Sequence, residues 1–114
     1  MNLTPLERAI LEQSSQKIDD KCFLEQVQSV QVESREHTGA GLFVYFYSPL
    51  LDEVPPILGA SKSFPGPDFK SPVLELGAGS IIWCGPDGFL SCIEIFSFSD
   101  CYPTEEFEFE ISKV

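Results

Sequence analysis

The chain has 114 residues, 43% of them hydrophobic, with ten Phe, three Tyr and one Trp, enough to fill one core at an ordinary domain size and to exclude intrinsic disorder. Eighteen Asp and Glu against seven Lys and Arg leave a net charge of −11. That charge repels phosphate backbones and anionic membrane surfaces, so neither nucleic acid nor membrane is an expected partner.

The first predicted element is a helix over about residues 5–17. Thr4 can cap the Glu7 amide while the Glu7 side chain reaches back, and Pro5 sits in the first turn, where no donor is needed. Leu6, Ala9 and Ile10 form its apolar stripe, with Glu12, Gln13 and Gln16 towards water. Asp19-Asp20 offers a second cap for a shorter helix at about 20–27, with Phe23, Leu24 and Val27 as its apolar face. The period then changes to two: Val30 and Val32 alternate with Gln31 and Glu33, so a strand runs from near 29 to His37. Thr38-Gly39-Ala40-Gly41 reverses the chain, and the apolar run Leu42 to Tyr47 is a strand covered on both faces or a half-covered one with exposed aromatics.

Six prolines between Ser48 and Pro72 predict a long irregular connection, with at most one short strand near Ile57–Lys62. Val73–Leu76, Gly79–Cys84 and Phe89–Phe98 read as strands, the last two joined by the hairpin residues Gly85-Pro86-Asp87-Gly88. Gly77-Ala78-Gly79 suits a bulge or a close approach of two backbones. From Glu105 to Ile111 the pattern again has period two, with Phe107, Phe109 and Ile111 on one face and Glu106, Glu108 and Glu110 on the other. The fold class expected is α+β in a single domain, 1–114. Two short N-terminal helices (1–28) pack on a mainly antiparallel sheet of about five to six strands (29–114), interrupted by the proline-rich loop at 48–72.

No run approaches the ~20 apolar residues of a membrane span, and the N-terminus reads as a capped helix, not an export signal; a cytoplasmic protein is expected. The four cysteines, Cys22, Cys84, Cys92 and Cys101, have no C-x-x-C spacing, so reduced thiols are expected and no metal site or cofactor. The polar stretch Ser34 to Gly41 is the most site-like part of the chain. Arg35 could hold an anion, and Glu36 and His37 could act as an acid/base pair, although neighbours on a strand point to opposite faces. In the alternative, His37 and Thr38 satisfy backbone groups at the turn. Glu94 interrupts the apolar run Cys92–Phe98, so it is a paired inward carboxylate or marks the solvent face. Residues 94–114 carry six acids against one base. Their glutamates keep a strand soluble or present an acidic face to a cationic partner.

From Val32 to about Glu105 the chain resembles a small group of uncharacterised bacterial proteins. The resemblance lies in an S-R-E-x-T-G-x-G run (Ser34, Arg35, Glu36, Thr38, Gly39 and Gly41) followed by Phe43 and Tyr45. It continues in Gly77-Ala78-Gly79 and in a D-G-x-L-S-x-x-E hairpin (Asp87, Gly88, Leu90, Ser91 and Glu94). It implies no activity or cofactor, but it implies that the Arg35-to-Gly41 turn and the Gly88-to-Glu94 hairpin belong to one shared feature.

The reading that fits these observations best is a non-enzymatic protein-binding domain, in concrete form an immunity-like protein that neutralises a basic toxin through Arg35, Glu36, His37, Thr38, Glu94, Glu106, Glu108 and Glu110. A second is a small enzyme or ligand-binding domain with a pocket around Arg35, Glu36, His37 and Glu94. A third is a self-associating structural module, against which stacked like charges argue.

Overall fold

A computed structural model describes residues 2–17, 21–47, 63–85, 88–99 and 101–112. Helix α1 spans Pro5–Lys17 and α2 spans Lys21–Ser29. The predicted cap of α1 is formed in both directions: the Glu7 amide donates to Thr4 Oγ1 at 3.2 Å, and the Thr4 amide donates to Glu7 Oε1 at 2.9 Å. The buried stripe is Leu6, Glu7, Ile10, Leu11 and Ser14, so of the Leu6–Ala9–Ile10 stripe expected only Ala9, half-buried, lies at its edge. Each buried Ile or Leu there contributes roughly 1.5–3 kcal/mol. The cap expected at Asp19-Asp20 lies outside the described residues.

On α2, Phe23 and Val27 are buried, but Leu24 is exposed and Gln26 is buried in its stead. The exchange has a polar reason. Gln26 Nε2 donates to the Gly88 carbonyl at 3.0 Å, and its Oε1 accepts from the Leu90 amide at 2.8 Å, so a helix side chain satisfies backbone groups of a hairpin that the sheet ladder leaves open.

The strands are β1 (Gln31–His37), β2 (Gly41–Tyr47), β3 (Ser63–Pro65), β4 (Phe69–Ser71), β5 (Leu74–Cys84), β6 (Leu90–Ser97) and β7 (Glu110–Ile111). Every pairing is antiparallel, in the order β1-β2-β6-β5-β4-β7, with β3 alongside the far half of β5. The α+β class stands, with seven strands where about five to six were expected. The surplus comes from β3 and β4, which lie in the second half of the proline-rich connection. Pro65 is tolerated because it ends a strand of three residues on the rim of the sheet. The strand expected near 57–62 is outside the described residues.

Two other boundaries move. The strands expected at 73–76 and 79–84 are one strand, β5, which stays continuous because Gly77, at φ +80°, absorbs extra residues opposite β4 as a bulge. The strand expected over 105–111 is hydrogen-bonded only at Glu110 and Ile111, opposite Lys70 and Phe69. Residues 106–109 still alternate between exposed and half-buried, since a packed extended segment needs no ladder partner to show period two.

Both helices pack on one face of the sheet, around Val44, Ile82, Ile93 and Ile95. The register places Glu36, Phe43, Glu94 and Ile81 in one row on the opposite face, and Ser34, Tyr45, Cys92 and Trp83 in the next. β2 is therefore the half-covered strand of the two alternatives. No described helix is long and apolar enough to cross a membrane.

Candidate functional site

Two surfaces carry the polar and aromatic groups, one on each side of the sheet. On the helix side the start of α1, the ends of β1 and β6 and the segment 102–109 enclose a cavity of about 310 Å³. Its floor is an ion pair: Arg35 Nε donates to Glu7 Oε2 at 2.7 Å and Nη2 to Glu7 Oε1 at 2.8 Å. Glu7 is only 2% exposed, so this two-pronged match is what makes a buried carboxylate tolerable. Arg35 Nη2 also donates to the Asn2 carbonyl at 3.0 Å. Hydrogen bonding to Glu7, opposed by burial and aided by the charges of Glu7 and Glu106, raises the Arg35 pKa above its ordinary value.

The walls are Leu6, Leu42, Ile95, Phe107 and Phe109, and exposed Glu105 and Glu106 stand at the rim. Tyr102, 8% exposed, packs edge-on against Phe107 with ring centres 5.6 Å apart. Its hydroxyl has no hydrogen-bond partner among the described residues. Burial, and secondarily the Glu7 charge, push its pKa up. The same residue is anchored through its backbone, because the Tyr102 amide donates to the Gly39 carbonyl at 2.8 Å, while the Ser97 amide donates to Ala40 at 2.9 Å. The glycine turn thus holds the tail that closes the cavity.

Arg35 and His37 both line this cavity. Glu36 and Glu94 do not join them: they flank Phe43 on the outer face, where Glu94 Oε1 accepts from Trp83 Nε1 at 3.3 Å. Glu94 is thereby a solvent-face carboxylate with an aromatic neighbour. Thr38 closes the turn with its amide, which donates to the Gly41 carbonyl at 3.0 Å, and neither its side chain nor that of His37 makes a hydrogen bond among the described residues. Glu106 reaches the cavity rim, whereas Glu108 and Glu110 point to solvent.

The outer face is aromatic. Phe43 and Tyr45 stack at 6.1 Å, Phe96 and Phe98 meet edge to face at 5.7 Å, and Trp83 and Phe98 are 40% and 48% exposed. Gly79 makes room for this layer, since a Cβ there would run into the Phe96 ring at 2.7 Å.

All four cysteines are free thiols, buried at Cys84 and Cys92, and none lines the cavity beside His37. Among the described residues no group of three His, Cys, Asp or Glu side chains has the arrangement of a metal site. Sequence reasoning missed Glu7 and Tyr102. Glu7 was legible as a capping residue, and its spacing to Ile10 and Leu11, three and four residues on, was the available sign that it faces inward. No protein-family model, curated protein or solved structure matches the chain.

Proposed function

We propose that the protein is a non-enzymatic, acidic protein-binding domain that docks a basic partner on its outer sheet face, with immunity-like neutralisation of a basic toxin as the concrete form. The observation that supports this reading is the aromatic layer of exposed Trp83 and Phe98 and half-buried Phe43 and Tyr45, bordered by Glu36 and Glu94, on a face that neither helix covers. Large aromatics with few rotamers anchor interfaces, and carboxylates beside them select cationic surfaces. A net charge of −11 steers such a partner from a distance and makes association salt-dependent. The row of Glu106, Glu108 and Glu110 adds to that field.

The test is affinity capture from the native host, followed by binding kinetics on the protein recovered. A basic protein should be retained, its association rate should fall as salt rises, and Trp83→Ala should weaken it by about tenfold or more. The double variant Glu36→Lys, Glu94→Lys should abolish retention. Capture of no basic protein, or equal capture by wild type and the double variant, would sink the proposal.

A further inference from the structure

We propose that the cavity between α1, β1 and the 102–109 segment is a binding site for a small organic cation, a protonated amine carrying an aromatic or aliphatic body. This site lies on the opposite side of the sheet from the aromatic layer and does not depend on it. Its size, about 310 Å³, is at the lower end of the range for small-molecule sites, and its mix of apolar wall and few polar groups is typical of them.

Charge selects the class of ligand. The lining side chains include three carboxylates, Glu7, Glu105 and Glu106, against one guanidinium, Arg35. Arg35 has its Nε and Nη2 engaged by Glu7 and Asn2, so it does not offer the open fork that recognises a carboxylate or phosphate. The field left over is negative and comes from the rim. An anion would meet that field on entry, whereas an ammonium group would be drawn to it.

The second observation is Tyr102. A phenol at 8% exposure with no partner for its hydroxyl among the described residues has an unmet hydrogen-bonding demand. It is met when a donor such as N–H⁺ reaches the oxygen. The Tyr102 and Phe107 rings, packed edge to face, add a π surface that favours a cation and an apolar wall for the body of the ligand.

Titrating the full chain at neutral pH with 2-phenylethylamine, 2-phenylethanol and phenylacetate, read by calorimetry and by amide chemical shifts, tests the assignment. The amine should bind about tenfold tighter than the alcohol and tighter still than the acid, and should shift the His37 and Tyr102 amides. Tyr102→Phe, which keeps the ring, should weaken the amine by about fivefold or more, and Glu106→Gln by about twofold. Trp83→Ala on the outer face should leave amine binding unchanged, so failure here is distinguishable from failure of the protein-docking proposal. Equal binding of all three probes, preference for phenylacetate, or shifts that avoid His37 and Tyr102 would overturn it. The shift map uses wild-type protein and stands even if a variant fails to fold.

Discussion

Glu7 does three things with one carboxylate: it caps the amide of Thr4, it holds Arg35 in a two-pronged pair, and it fills a buried position on α1. Arg35→Ala should therefore cost about 3 kcal/mol, because it leaves a buried carboxylate without its cation. Urea unfolding checks this, and a loss below about 1 kcal/mol would reduce the pair to a surface contact. The importance of Arg35 was legible in the sequence as part of a polar cluster, but its partner was not. Adjacent Glu36 invited pairing with His37, yet strand alternation sends those two to opposite faces, and the true partner of Arg35 lies in a helix cap 28 residues earlier. A contact between elements leaves no spacing signal.

Among the elements, the turn before β2 separates two demands made on glycine. At Gly41 the backbone of β6 comes so close that a Cβ would run into the Ile95 carbonyl oxygen, whereas Gly39 has open space around it and a φ of +86°. Gly41→Ala should break the β2–β6 pairing and lower the melting temperature by more than about 10 °C. Gly39→Ala should cost only the left-handed backbone strain, about 1 kcal/mol or about 5 °C, with Gly39→Asn costing less. Equal losses in a thermal melt would contradict this division. The existence of the turn, both helices, β1, β2 and the β5–β6 hairpin was readable from periodicity and turn residues. What periodicity does not carry is hydrogen-bond partnership, as residues 106–109 illustrate, nor the gain from continuity that makes β5 one strand through Gly77. Prolines hid β3 and β4, since three-residue pairings on a sheet rim give almost no pattern.

For the molecule as a whole, alkaline pH is the weak side. Burial chiefly, with the charge of Glu94 adding and a backbone hydrogen bond from Val44 opposing, raises the Cys92 thiol from its ordinary 9.0 to about 11. Tyr102 is raised as well. In the unfolded chain both groups ionise at their ordinary values, while the folded protein keeps them protonated. The contribution of Cys92 is fully present below about pH 9 and is lost as pH climbs towards about 11, while that of Tyr102 is lost only at still higher pH. Denaturant midpoints measured across that window should fall, and Cys92→Ala should flatten the fall; a slope unchanged in that variant would assign the loss elsewhere. The backbone bonds from Ser97 and Tyr102 to Ala40 and Gly39 have a further consequence for the molecule. The Tyr102 bond joins the turn to a residue that lines the cavity, so a ligand that stabilises Tyr102 in place also stabilises that bond. Such a ligand tightens the glycine turn by the same free energy with which an intact turn favours the occupant.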